Sequence, residues 1–163
     1  MFVTAKGAYV PFILLRERVV AQRHDWIVYI VDDDDDVRDS TLELLQCVGF
    51  AVRDFASGRD FLQQFEPTTG LCIILDLHMP DISGFQVLDA LQTRGSTVPI
   101  IVFSGRSDHT TQELGHRSDV IAVVGKPLEA DRMIDLIQTL LNAKAAASQP
   151  VSWCATPQRP TRR

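Results

Sequence analysis

The apolar residues fall into short dense runs, separated by stretches in which they recur every three or four positions. Trp26 to Val31 (WIVYIV) reads as a buried strand. From Val37 to Val48, the residues Val37, Thr41, Leu44, Leu45 and Val48 share one helical stripe, and Gly49 follows as a stop. Phe50 to Phe55 is a second, partly alternating strand. Ser57 then caps a helix that carries Phe61, Leu62 and Phe65, and Pro67 to Gly70 is a turn. Leu71 to Leu75 (LCIIL) is a third strand without a polar residue, and Ser83 to Leu91 is a helix with Phe85, Val87, Leu88 and Leu91 inward. Val98 to Phe103 and Val120 to Val124 are two further buried strands. Glu129 to Leu141 is the last helix, with Met133, Ile134, Ile137, Leu140 and Leu141 on its apolar face. The crossover from Arg106 to Asp119 (RSDHTTQELGHRSD) holds one Leu and an internal Gly, and no stable amphipathic helix is expected there.

Strands apolar on both faces and alternating with helices imply a parallel sheet covered on both sides. The expected fold is a doubly wound α/β domain with a five-stranded parallel sheet, a (βα)5 arrangement over residues 25–142. Residues 143–163 (AKAAASQPVSWCATPQRPTRR) are small, polar and rich in proline, and are expected to form a disordered tail.

The bulk properties fit such a domain. The chain has 163 residues, 45% hydrophobic and 23% charged, ordinary values for one soluble domain with tails. Its apolar run from Ala8 to Leu15 is far shorter than the ~20 residues of a membrane span, and no signal-peptide cleavage site follows it. A cytoplasmic location without membrane contact is expected. The net charge of −5 is uneven: residues 1–24 carry +3 and residues 144–163 carry +4, which leaves −12 on the body. Such a body repels nucleic acid. Cys47, Cys72 and Cys154 are too widely spaced for a zinc site or a disulfide framework, and Cys47 and Cys72 read as buried thiols.

In a doubly wound sheet the functional groups gather at the carboxyl ends of the strands. Here strand one ends in Asp32 and Asp33, strand three in Asp76, strand four in Ser104 and strand five in Lys126. Three carboxylates at one rim repel unless a cation joins them, and hard oxygen donors suit Mg²⁺. Lys126 adds positive charge and Ser104 a hydroxyl. Phosphoryl transfer needs mainly positioning and charge neutralisation, and Asp76, central in the set, is the natural nucleophile. Within the run Asp32–Asp36, Asp36 is expected to cap the following helix. A calcium loop of the EF-hand kind is excluded, because Val37 stands where glycine is needed. No G-x-G-x-x-G follows the first strand, so dinucleotide binding lacks its fingerprint.

VDDDDDVRDS, LDLHMPDISG, VFSG and GKP resemble the receiver domains of two-component response regulators, closest to the FixJ-type branch, over residues 26–142. The resemblance implies a flavodoxin-like sheet of strand order 2-1-3-4-5. It implies that Asp76 is the phosphoacceptor, that Asp33 binds Mg²⁺ directly and Asp32 through water, and that the backbone carbonyl of His78 completes the ligands. Ser104 and Lys126 would each hold a phosphoryl oxygen, and Pro127 would follow a cis peptide. The implied partners are a sensor histidine kinase and an unidentified downstream protein, with a homodimer as an option. Residues 143–163 are too few and too polar for the DNA-binding domain that FixJ-type receivers generally precede. Residues 1–24 have no counterpart in the family and are expected to be a disordered extension or a loose helix.

Two departures fall on the face that would pass the signal on. Val123 stands where the family usually has an aromatic residue, and the fourth crossover lacks the usual Ala- and Met-rich helix. An intact phosphorylation site with an altered readout is therefore expected. Two other readings stay open: an Asp-nucleophile phosphatase or phosphotransferase, although His78 stands where such enzymes want a second acid, and a pseudo-receiver that binds partners without phosphorylation.

Overall fold

The computed structural model describes residues 2–5, 8–11, 26–105, 114, 117–126 and 130–148. In chain order the elements are β1 (Phe2–Ala5), β2 (Ala8–Pro11), β3 (Ile27–Val31), α1 (Asp35–Cys47), β4 (Ala51–Phe55), α2 (Gly58–Gln64), β5 (Gly70–Leu75), α3 (Gly84–Thr93), β6 (Ile100–Ser104), β7 (Val120–Gly125) and α4 (Ala130–Ser148). Strands β3 to β7 make one parallel sheet of order β4-β3-β5-β6-β7. Counted within that sheet, the order is 2-1-3-4-5.

The sheet separates two cores because successive side chains of a strand face opposite ways. Val28, Ile30, Cys72, Ile74, Ile101 and Phe103 pack with Leu45 of α1 and with Met133, Ile134 and Ile137 of α4. Tyr29, Val31, Ile73, Leu75, Ile100 and Val102 pack with Phe61 of α2 and with Val87, Leu88 and Leu91 of α3. The central strand β5 is buried at every position, as expected for LCIIL.

The structure revises several sequence-based expectations. Asp34, not Asp36, caps α1: it is extended (φ −82°, ψ 109°), and its carboxylate accepts from the amides of Asp36 and Val37. Asp36 lies inside the first turn, so its own amide is one of the groups being capped. Ser83 is likewise the cap of α3 rather than its first residue, in a reciprocal arrangement with Gln86. Gly49 stops α1 with φ 97°, a conformation that favours glycine.

The last helix runs to Ser148, past the expected boundary at 142. Its apolar stripe continues through Leu141 to Ala145, and Ala143 to Ala147 are strong helix formers despite their lack of bulk. Lys144 lies over the Trp26 ring at 5.2 Å and donates to the Gly70 carbonyl. The rest of the expected tail, 149–163, lies outside the described residues.

Phe2–Ala5 and Ala8–Pro11 pair as antiparallel strands, with Phe2 opposite Pro11 and Ala5 opposite Ala8, rather than as part of a loose helix, and the rest of residues 1–24 lies outside the described residues. Phe2, Val3, Thr4, Tyr9 and Val10 favour strands over helices. Strand β7 is less buried than expected, with Ile121 43% exposed, because it is an edge strand with one neighbour. Cys47 is exposed, contrary to expectation, while Cys72 is buried. It stands in the last turn of α1, away from the stripe of Thr41 and Leu45 that enters the core. Of the fourth crossover, 106–113, 115 and 116 lie outside the described residues, as does Pro127 with its expected cis peptide.

Candidate functional site

Parallel strands all deliver their carboxyl ends to one rim, and main-chain hydrogen bonds align the residues that leave it. The Asp32 amide donates to the Phe55 carbonyl at 3.1 Å, the Asp76 amide to Val31 at 2.9 Å, and the Lys126 amide to Ser104 at 2.9 Å. Four residues that lie far apart in sequence thereby emerge side by side.

Their burial is unusual. Asp32 is 2% exposed, Asp76 6% and Ser104 3%; with Thr41 they are the buried polar residues among those described. A carboxylate held out of water needs a partner. Lys126 supplies it: Nζ lies 2.8 Å from Oδ2 of Asp32 and 3.2 Å from Oδ2 of Asp76, and to Asp76 it donates a hydrogen bond. Its ammonium also lies 5.4 Å from the Phe103 ring centre.

Carboxylate oxygens of Asp32, Asp33 and Asp76 all lie within 4.8 Å of one another. Asp33 is exposed and the other two are buried, so the cluster opens to solvent on one side. The 2.8 Å ion pair leaves Oδ2 of Asp32 outside hydrogen-bonding geometry, a buried oxygen with no hydrogen-bond donor. Its other oxygen accepts from the Asp34 amide at 3.0 Å. Three carboxylates, each offering one hard oxygen, form a donor set suited to a small divalent cation.

The electrostatics follow from this crowding. Burial pushes the Asp32 carboxyl above its ordinary value and the like charge of Asp76 adds to the shift, while Lys126 and the Asp34 amide pull against it. Burial works against the Lys126 ammonium, but Asp32 and Asp76 together outweigh it and raise its pKa above that of an ordinary lysine.

The His78 side chain is exposed, and its amide donates to Oδ1 of Asp76 at 3.3 Å. Val123 is half-buried on β7 against the α2/α3 core.

Two contributors escaped the sequence reading. Gly84 begins α3 against the main chain of Asp76, and a Cβ there would come 2.2 Å from the Asp76 carbonyl oxygen. Arg38 donates to the Asp32 carbonyl at 2.9 Å. Arg38 stands inside VDDDDDVRDS and Gly84 closes LDLHMPDISG, but neither carries chemistry that marks it in isolation.

The response regulator receiver domain model matches residues 28–138. The transcriptional regulatory protein TdiR of Thauera aromatica is 33% identical over 114 residues, 70% of this chain and 50% of that protein. The C4-dicarboxylate transport transcriptional regulatory protein DctR of Rhodobacter capsulatus is 34% identical over 118 residues, 71% of this chain and 60% of that protein. The crystal structure of FixJ-N superimposes with a TM-score of 0.63 at 32% identity, covering 72% of this chain and 94% of that one. The chain spans about half the length of the curated relatives it matches. The family match runs from inside β3 through most of α4 and takes in the whole acid-and-lysine rim, and the chain belongs to the response-regulator receiver domains.

Proposed function

We propose that Asp76 accepts a phosphoryl group from a sensor histidine kinase in a Mg²⁺-dependent step, and that the modification changes which protein this domain binds. The observation that carries the reading is the Lys126 ammonium held between Asp76 and Asp32, at 3.2 and 2.8 Å, beside the exposed carboxylate of Asp33.

One oxygen of Asp76 forms the new O–P bond as the N–P bond of the donor phosphohistidine breaks, and the electron pair of that bond returns to the imidazole nitrogen. Asp33, Asp76 and the His78 carbonyl, with Asp32 acting through water, would hold Mg²⁺, whose charge would offset that of the phosphoryl oxygens. Lys126 pairs with one phosphoryl oxygen, and the Ser104 hydroxyl donates to another. The ammonium already faces Asp76, so little reorganisation precedes transfer. Loss of the group is hydrolysis of the same acyl phosphate, catalysed by this rim alone, and no other substrate is turned over.

The downstream partner is a protein the sequence does not identify, and a homodimer is one form the activated domain can take. The location we propose is the cytoplasm; among the described residues no helix is long and apolar enough to cross a membrane. Val123, in place of a large ring on β7, favours an altered readout. Amide exchange over residues 104–125 should change little on phosphorylation, and a large response there would contradict that part of the proposal.

The test is incubation with acetyl phosphate or a beryllofluoride mimic with and without Mg²⁺. Intact mass should rise by one phosphoryl group only with Mg²⁺ and acetyl phosphate, and not at all in D76N. No modification and no response to beryllofluoride would favour a phosphorylation-independent module. Steady turnover of added phosphoesters would favour an enzyme.

A further inference from the structure

Arg38 lies in α1, six positions past Asp32, with a side chain only 12% exposed. Its guanidinium serves three acceptors on three pieces of the fold. Nη1 donates to the Asp32 carbonyl at 2.9 Å, Nε to Oδ2 of Asp54 at 3.2 Å, and Nη2 to Oδ1 of Asp35 at 2.5 Å. Asp54 is on β4, in register with Ile30 of β3, and Asp35 opens α1. One planar fork thus ties the acid loop to the neighbouring strand and to the helix that follows. Lysine has no such set of fixed donors.

The contact with Asp32 is to its main chain. That carbonyl belongs to the peptide unit joining Asp32 to Asp33, so holding it limits how the two carboxylates leave the backbone. The Asp32 amide is already committed to Phe55, and its Oδ1 to the Asp34 amide. With Arg38 in place, the Asp32 backbone is held on both its amide and its carbonyl side, while Oδ2 pairs with the Lys126 ammonium at 2.8 Å.

We propose that Arg38 is a positioning residue for the cation site: its guanidinium fixes the Asp32–Asp33 peptide so that both acids meet Asp76 around one Mg²⁺. The inference rests on the Mg²⁺-dependent reading above. Residues that orient metal ligands from behind typically change metal affinity by about 10- to 100-fold when lost.

Charge and positioning predict opposite signs. Deleting a cation beside an acidic cluster strengthens Mg²⁺ binding by simple Coulomb attraction. Losing the alignment weakens it.

The experiment is Mg²⁺ titration by calorimetry on the full chain, with wild type, R38M, R38K, D54N and the R38M/D54N double variant, each first checked for cooperative unfolding. Expected are a weakening of about 10-fold in R38M, incomplete rescue in R38K, and a smaller loss in D54N that does not add to that of R38M. Unchanged or tighter binding in folded R38M overturns the inference while leaving the receiver reading intact. If R38M does not fold, full wild-type affinity in R38K and D54N overturns it equally. Absence of Mg²⁺ binding in wild type removes the proposed Mg²⁺-dependent phosphorylation and this inference with it.

Discussion

Lys126 places its ammonium 3.2 Å from Oδ2 of Asp76 across fifty positions of sequence, so the charge that compensates this buried acid comes from a different strand end. The same ammonium lies 2.8 Å from Asp32. A lysine shared by two buried acids offsets part of the rim's negative charge without metal.

Replacing Lys126 by Met leaves Asp32 and Asp76 buried without their cation. In Mg²⁺-free buffer at neutral pH, K126M should lose about 2 kcal/mol of stability, read from the urea midpoint. The loss should shrink at pH 5, where a carboxyl stranded in the interior takes up a proton more readily. At the alkaline end, the folded state holds the Lys126 proton more tightly than the unfolded chain, whose reference value is 10.5. The ion pair's stabilisation is therefore fully present below that value and lost as pH rises through the higher folded-state value. Wild type should show this loss above pH 10.5, and K126M should show less of it.

Asp32 acts in the opposite sense. Burial, with Asp76 adding to it, raises its carboxyl above the reference value of 3.8, so the charged form costs stability at neutral pH and the cost fades as pH falls toward 3.8. D32N should be more stable than metal-free wild type by on the order of 1 kcal/mol at pH 7. That advantage should narrow on acidification to pH 4. Mg²⁺ at ten times its dissociation constant should stabilise wild type by about 1.4 kcal/mol and D32N by less. Urea melts with Mg²⁺ and with chelator at both pH values would check all three.

Gly84 has no room for a side chain. An added Cβ would lie 2.2 Å from the Asp76 carbonyl oxygen and 2.6 Å from the Leu77 Cα, both main-chain atoms that cannot swing aside. G84A should cost about 3 kcal/mol and displace the loop that carries Asp76. S83A, which removes only the helix cap, should cost about 1 kcal/mol. Comparing Mg²⁺ affinity in the two folded variants separates damage to the loop from damage to the helix.

The two described cysteines should react very differently. Burial pushes the Cys72 thiol up to about 12, whereas Cys47 is exposed. A thiol reagent at pH 8 should label the peptide containing Cys47 quickly and leave Cys72 unmodified until denaturant is added. Peptide mass mapping reads both, and rapid native labelling of Cys72 would contradict the packing of β5.

Much of this was legible along the chain because local periodicity reports burial directly. LCIIL can only be a strand covered on both faces, and an acid immediately after it, Asp76, has to emerge at the strand's end. The Ser57 cap follows from one residue type before a helical stripe. Among five consecutive aspartates, however, composition cannot say which one turns extended to cap the helix, and Asp34 does so because its amide is already drawn back to Asp32. The Ala-rich end of α4 read as tail because alanine contributes little hydrophobic signal while favouring helix strongly.

By itself the sequence determined the alternation of strands and helices, the two-sided burial of the central strands and the residue types at their carboxyl ends, because each depends on short-range pattern. Only the tertiary structure decided that Lys126 lies between Asp76 and Asp32, that Arg38 reaches back to the Asp32 carbonyl, and that Gly84 presses on the main chain of Asp76. Those are distances between elements, set by sheet register and helix packing, and no local pattern of side chains encodes them.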